Sequence, residues 1–217
     1  MNQKGLFIGA AVALIVVFVG GAILFSTSES GVDGADPEAR MALLDRDHAP
    51  SLGPADAPVV IVEFLDPACE TCAVFYPAVK EMMDANPGQI RLVLRWAPFH
   101  EGSRNVVALL EAARKQDRFW PALETLLASQ SVWTVNHTAE VSAAWHMLAS
   151  LELDQGRIEA DMVGADVTER IAQDVADAAA LNVTMTPEYF VNGKPLPSFG
   201  YEQLRQLVDE ALTTASR

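Results

Sequence analysis

The two cysteines of the chain, Cys69 and Cys72, are the only ones in 217 residues and are spaced C-x-x-C. Such a pair can form a structural disulfide, supply part of a metal site, or exchange disulfides as a redox centre. A bridge between residues three apart closes a very short loop and therefore adds little stability. Two thiolates can hold Cu(I), which favours soft sulfur ligands. The copper-binding interpretation therefore stays open beside the redox centre.

The histidines do not extend the cysteine pair into a zinc site. Structural zinc needs four ligands, and the sequence has neither a second cysteine pair nor an H-x3-5-H spacing. The four histidines are His48, His100, His137 and His146. We expect them at surface or packing positions, and we predict no metal site and no cofactor other than a redox-active disulfide.

The elements around the pair favour redox chemistry. The apolar run 57–65 predicts a buried strand, 69–84 a helix, and 90–96 a second strand, which together form a βαβ unit with parallel pairing. Cys69 then lies at the start of a helix, where free N–H groups and the helix dipole stabilise a thiolate. Cys72 lies one turn further in. We therefore interpret Cys69 as the attacking nucleophile and Cys72 as the resolving thiol.

The rest of the chain predicts a block of helices followed by a short sheet segment. Apolar residues recur at helical spacing from about 103 to 181, and no strand signal interrupts them. A short strand over 188–191 precedes the turn signal Asn192-Gly193, and an amphipathic helix over 201–212 closes the chain. The predicted order is β, α, β, a helical block, β, β, α.

The N-terminal part of the chain predicts a membrane anchor. Residues 5–25 contain no charged side chain, and as a helix they would span about 31 Å, the thickness of a bilayer core. Lys4 precedes this run and acidic residues follow it, so the remainder should cross to the far side of the membrane. We predict a signal anchor over 1–25, a flexible acidic linker over 26–50 and a folded domain over 51–217. A cleaved signal peptide is the main alternative.

The net charge narrows the classes of partner. The formal charge is -14 at pH 7, which repels phosphate backbones, so we expect no nucleic-acid partner. An acidic surface mainly favours solubility.

Three further sequence features accompany the cysteine pair. Glu63 lies six residues before Cys69 in the predicted strand, and Pro77 lies five residues after Cys72 in the predicted helix. Thr186-Pro187 directly precedes the strand over 188–191. Together with the helical block over about 101–181, these features resemble the thioredoxin superfamily and, within it, the DsbA-like thiol–disulfide oxidoreductases of bacterial envelopes. The resemblance covers residues 55–215.

The resemblance implies a fold and a set of roles. It implies an α/β thioredoxin-like fold, with a central mixed sheet flanked by helices and an inserted helical subdomain, preceded here by one transmembrane helix. Glu63 would be a buried carboxylate that exchanges a proton with Cys72. Thr186 and the cis Pro187 would bind extended protein substrates.

The resemblance also implies partners and a location, but leaves the direction of electron flow open. The partners would be cysteine-containing proteins and a membrane redox partner that reoxidises or reduces the pair. The location would be the bacterial inner membrane, with the catalytic domain in the periplasm or outside. Glu70 and Thr71 tune the motif, and they stand where strong oxidants of the family have a histidine before the second cysteine. A dedicated reductase for cytochrome c maturation and a copper-binding thioredoxin-fold protein are the alternatives.

Overall fold

The structure, a computed structural model, describes residues 37–216. The predicted anchor over 5–25 and residues 26–36 of the predicted linker lie outside the described residues. Within residues 37–216, no helix has both the length and the apolar character needed to cross a bilayer.

The described chain alternates strands and helices in the predicted order, with additions at the N-terminus and in the helical block. The strands are β1 (Ser51–Leu52), β2 (Val59–Leu65), β3 (Ile90–Trp96), β4 (Thr134–Val135), β5 (Thr138–Ala139), β6 (Glu188–Val191) and β7 (Lys194–Pro195). The helices are α1 (Pro37–Leu44), α2 (Glu70–Ala85), α3 (Ser103–Arg114), α4 (Phe119–Ala128), α5 (Gln130–Trp133), α6 (Val141–Met147), α7 (Gln155–Met162), α8 (Ala165–Ala180) and α9 (Tyr201–Ala215). A 3-10 turn over Ala149–Leu151 joins α6 to α7.

Five strands form a mixed sheet in the order β1-β3-β2-β6-β7. β2 and β3 pair in parallel, as the βαβ prediction requires, whereas β1, β6 and β7 join the sheet in antiparallel pairs. Six of the seven side chains of β2 are buried, which explains why this strand reads as one apolar run instead of an alternating one. The predicted fold class, a mixed sheet flanked by helices, is confirmed.

The predicted hairpin at Asn192 and Gly193 joins β6 to β7. Both residues have positive φ, 46° and 77°, as the commonest two-residue hairpin turn requires. A Cβ at Gly193 would also lie 2.3 Å from the carbonyl oxygen of Pro37. A side chain at position 193 would therefore displace the start of α1.

The helical block contains a small sheet that the sequence did not predict. β4 and β5 form a two-stranded antiparallel hairpin whose turn consists of Asn136 and His137. Both turn residues have positive φ. The expectation of uninterrupted helix over 103–181 was wrong here, because two-residue strands leave no measurable apolar alternation.

Residues 37–50 are part of the folded body, so the prediction of a flexible linker over 26–50 was wrong for them. Leu44 is completely buried, and the buried Arg40 donates a hydrogen bond to the carbonyl oxygen of Gly193 at 2.7 Å. Arg46 forms two hydrogen bonds with Asp177 of α8, at 2.8 and 2.9 Å. The acidic, Pro- and Gly-containing composition suggested a tether because these long-range partners are invisible in the local sequence.

Candidate active site

The cysteine pair lies where β2 leads into α2. Cys69 is the residue before the first helical turn, with an extended backbone, and its N–H donates a hydrogen bond to the carbonyl oxygen of Asp66 at 3.0 Å. Both cysteines are free thiols. Cys69 is 6% exposed, whereas Cys72 is completely buried one turn further into the helix. Of the two cysteines, only Cys69 therefore retains surface that a partner molecule can reach.

Side-chain hydrogen bonds of Asp66, within the loop, and of Gln130, from α5, hold the loop before Cys69. The buried carboxylate of Asp66 accepts hydrogen bonds from the backbone N–H groups of Ala68 and Phe99, at 2.9 and 2.7 Å. The amide of Gln130 donates to the carbonyl oxygens of Pro67 and Cys69, at 2.7 and 3.0 Å. The loop is thus fixed by partners far away in sequence.

The Thr186-Pro187 segment lies beside the cysteine pair. Its peptide bond is cis, the isomer expected from the resemblance. Sγ of Cys69 lies 3.2 Å from the carbonyl oxygen of Thr186, to which it donates a hydrogen bond when it is protonated. Pro187 is buried and Thr186 is partly exposed, so the backbone before the proline is accessible next to the accessible sulfur.

The two cysteines differ strongly in acidity. A hydrogen bond from the Cys72 thiol is the main reason that the pKa of Cys69 falls to about 5. Burial opposes this fall, while hydrogen bonds involving Thr186 and the backbone N–H groups of Thr71 and Cys72 add to it. Burial raises the pKa of Cys72 far above its usual range, and the same hydrogen bond to Cys69 raises it further. At neutral pH, the pair therefore holds one thiolate and one thiol.

We expect alkylation of Cys69 in the reduced protein to follow its low pKa. Because only the thiolate reacts, the rate of modification by iodoacetamide should rise with a midpoint near pH 5, while Cys72 stays unmodified. Peptide mass spectrometry after timed quenching measures both positions. In protein unfolded by guanidinium the midpoint should move to about 8.5. A folded-state midpoint near 8.5 would contradict the hydrogen-bonded thiolate.

Glu63 is a buried acid next to the pair. It is completely buried in β2, directly opposite Tyr189 of β6. Burial raises the pKa of Glu63 to about 8, and the negative charge of Cys69 adds to the rise. The Tyr189 hydroxyl opposes the rise, although neither it nor the carboxylate has a partner among the described residues at ordinary hydrogen-bond geometry. Glu63 is thus protonated at neutral pH and can release a proton near physiological pH.

Replacement of Glu63 by glutamine should stabilise the protein above pH 4.5. Unfolding releases the proton that the folded state holds between its unfolded pKa, near 4.5, and its folded pKa, about 8. The free energy of unfolding of the wild type therefore decreases across this interval. Glutamine carries no such proton, so Glu63→Gln should gain about 3 kcal/mol at pH 7 relative to pH 4.

Urea unfolding at pH 4, 5.5, 7 and 8.5 measures this difference. The exposed Glu81 of α2 provides the matched control, and Glu81→Gln should follow the wild type at every pH. A constant difference between Glu63→Gln and the wild type across the series would refute the shifted acid.

The two residues between the cysteines are exposed. The side chain of Glu70 points away to His137, with its Oε1 3.3 Å from Nδ1 of the histidine. The pKa of Cys69 is lowered to about 5 in spite of this neighbouring carboxylate. Thr71 contributes its backbone N–H to Cys69 instead of its side chain.

The structure brings together the predicted Glu63, Cys69, Cys72 and Thr186, and it adds side chains that the sequence analysis did not assign to the site. Asp66, Gln130, Tyr189 and His100 were not assigned to the site. Only Asp66, which immediately follows β2, carried a usable local signal. The others reach the site through tertiary packing.

Comparison with known proteins agrees with this geometry. Residues 45–210 match the sequence model of the thioredoxin family. The solved structure of a thioredoxin-like oxidoreductase from Silicibacter pomeroyi superposes with a TM-score of 0.69 at 30% identity, covering 80% of this chain and 98% of that one. A probable disulfide bond formation protein D from Bacillus cereus is 27% identical over 221 residues, which cover 97% of this chain and 98% of that protein.

Other relatives are much longer than this chain. A Na⁺/H⁺ antiporter NhaA from Herminiimonas arsenicoxydans is 33% identical over 144 residues, which amount to 66% of this chain and 22% of that protein. The chain therefore spans about a fifth of the length of the antiporters that it matches.

Proposed function

The chain belongs to the thioredoxin family, and we propose that it is a DsbA-like member with a helical insertion that exchanges disulfides with cysteine-containing proteins through Cys69 and Cys72. The observation that carries the proposal is the asymmetry of the pair. One sulfur is an accessible thiolate at neutral pH, and the other is a buried thiol one helical turn away.

The exchange begins from the oxidised pair. A substrate thiolate attacks Sγ of Cys69, the Cys69–Cys72 bond breaks, and Cys72 leaves with the electron pair. Glu63, a buried acid that interacts electrostatically with Cys72, supplies the proton that Cys72 takes up and regains one from solvent, since its pKa of about 8 keeps it protonated at neutral pH. A second substrate thiolate then attacks the substrate sulfur of the mixed disulfide and releases Cys69 as a thiolate. The substrate has lost two electrons, and the pair has gained them.

The low pKa of Cys69 favours this direction. A stabilised thiolate stabilises the reduced pair and so makes the disulfide more oxidising. Thioredoxin, with a pKa near 7, has a potential of about -270 mV, and the strongest oxidant, with a pKa near 3.5, about -120 mV. A pKa of about 5 corresponds to an intermediate potential, about -210 to -180 mV. We therefore propose a disulfide donor of moderate strength.

We further propose that the domain works outside the cytoplasm, anchored in the bacterial inner membrane by residues 5–25. Disulfides form and persist in that compartment, and the name of the Bacillus relative refers to disulfide bond formation. A membrane redox partner would reoxidise the pair. The antiporter matches cover only a small part of those proteins, and no transport activity is proposed for this chain.

The relatives do not favour the alternatives that the sequence left open. These were a copper-binding thioredoxin-fold protein and a dedicated reductase for cytochrome c maturation. No specific contact among the described residues supports either alternative.

The reduction potential of the pair tests the proposal. The full chain in detergent is equilibrated with glutathione buffers, and the oxidised fraction is measured by trapping free thiols. We expect about -210 to -180 mV. A value near -270 mV would reverse the proposed direction and indicate a reductant, and a pair that does not equilibrate with glutathione would contradict exchange altogether.

A further inference from the structure

Three side chains with metal-ligating atoms meet on the surface beside the cysteine motif. Glu70 is the first residue of α2, His100 lies between β3 and α3, and His137 lies in the turn between β4 and β5. Each offers one ligand atom, and these atoms lie within 4.8 Å of one another. The rings of His100 and His137 have centroids 6.2 Å apart and planes inclined by 27°.

The backbone holds the two histidine loops together. Glu101 and Thr138, each the residue after one of the histidines, form a parallel bridge, and the N–H of Ala139 donates to the carbonyl oxygen of Glu101 at 2.8 Å. Gly102 allows this approach, because a Cβ there would lie 2.2 Å from the carbonyl oxygen of Ala139. The two histidines are therefore neighbours through main-chain contacts and not only through exposed side chains.

One of the histidines is oriented by a buried carboxylate. Nδ1 of His100 lies 2.8 Å from Oδ2 of Asp66, which is completely buried and also accepts the N–H of His100 at 2.8 Å. Metal-binding histidines commonly use their second ring nitrogen in this way, because the carboxylate fixes the ring and raises the basicity of the ligand atom. Nε2 of His100 is the ring nitrogen that can bind a metal ion while Nδ1 keeps its contact with Asp66.

We propose that Glu70, His100 and His137 form a binding site for a divalent transition-metal ion such as Zn²⁺. Two imidazole nitrogens and one carboxylate oxygen form a donor set that zinc accepts, with a fourth position open to water or another ligand. The side chains of Glu70 and His137 are 61% and 73% exposed, and that of His100 is 24% exposed. The site is thus accessible to metal from solution.

The spacing of the histidines in the sequence does not predict this site. His100 and His137 are too far apart in the chain for any zinc motif, and Glu70 belongs to a third element. Only the tertiary fold brings the three residues together. The proposal does not depend on thiol exchange, since none of its three ligands is a cysteine.

Metal titration of a cysteine-free protein tests the site. The full chain carrying Cys69→Ser and Cys72→Ser is titrated with Zn²⁺ by calorimetry, and with Co²⁺ by visible absorption as a spectroscopic substitute. We expect one equivalent to bind. In this background, Glu70→Gln and His137→Ala should each weaken binding at least about tenfold, since losing even an outer partner of a ligand costs 10- to 100-fold.

The exposed His146 provides the matched control, and His146→Ala should leave the affinity unchanged. His100→Ala should abolish the Co²⁺ spectrum. Absence of binding by the cysteine-free protein would overturn the proposal, and so would binding that is unaffected by Glu70→Gln and His137→Ala. Because the readout is metal affinity, neither result bears on disulfide exchange.

Discussion

Replacement of Cys69 by serine is expected to reduce disulfide exchange to the uncatalysed background. Replacement of Cys72 by serine should instead yield a protein that retains its substrates as mixed disulfides. Cys69 carries the accessible sulfur, and a serine hydroxyl cannot form the mixed disulfide. Without Cys72, the chain has no second thiol that can attack that bond. The substrate then stays attached until an external thiol releases it.

Non-reducing electrophoresis after incubation of each reduced variant with a disulfide-containing protein measures both outcomes, because the Cys69 thiolate can attack a substrate disulfide and release one substrate thiolate. Thr71→Ser is the matched control, because residue 71 is exposed and acts on Cys69 through its backbone N–H. It should exchange like the wild type and accumulate no adduct. Full exchange by Cys69→Ser would show that Cys69 is not the nucleophile. Free release of substrate by Cys72→Ser would show that Cys72 is not the resolving thiol.

Replacement of Arg95 by methionine should lower the free energy of unfolding by about 3 to 5 kcal/mol. Arg95 lies in the sheet with no exposed surface. Its guanidinium donates to Asp174 at 2.8 Å and to Asp177 at 2.6 Å, both on α8. It also donates to the carbonyl oxygen of Leu44 at 2.9 Å, where the N-terminal segment packs.

Methionine would leave two buried carboxylates without their central cation. Burial alone raises the pKa of Asp177, and hydrogen bonds from Arg46 and Arg95 overcome that effect and hold the pKa below its usual range. Removing one partner of such a buried group costs far more than removing a surface charge pair.

Urea unfolding at pH 7 compares this variant with Arg205→Met. Arg205 pairs with Glu202 and Asp209 on the exposed face of α9, where solvent screens the interaction, so its replacement should leave the unfolding midpoint unchanged. Equal midpoints for Arg95→Met and the wild type would show that the buried network does not support the fold.

The sequence predicted those parts of the fold that depend on local patterns. The apolar run of β2, the cysteines at the start of α2 and the Asn192-Gly193 turn all carry their signals within a few residues. The Thr186-Pro187 segment was identified through its position in the family pattern. These elements already place the sulfur of Cys69 beside the Thr186-Pro187 loop.

The remaining features depend on partners far away in the chain. Residues 37–50 were mistaken for a tether because their order depends on distant contacts: Arg40 bonds the β6–β7 turn, Arg46 bonds α8, and Leu44 is buried and accepts a hydrogen bond from Arg95. The β4–β5 hairpin is too short for a pattern to emerge. Asp66 and Gln130 gain their roles from residues 33 and 61 positions away, a relation that periodicity and spacing do not encode.

The unequal burial of the two sulfurs sets the proton stoichiometry of the redox reaction. Between about pH 5 and 8, reduction by two electrons takes up a single proton, because Cys69 remains ionised while Cys72 is protonated. The Nernst slope of the pair should then be about 30 mV per pH unit, and about twice that below pH 5, where both sulfurs take up protons. As the pH falls from 7 to 5, the reduction potential of the pair should therefore rise slowly. Below pH 5, where the Cys69 thiolate is also protonated, it should rise about twice as fast per pH unit.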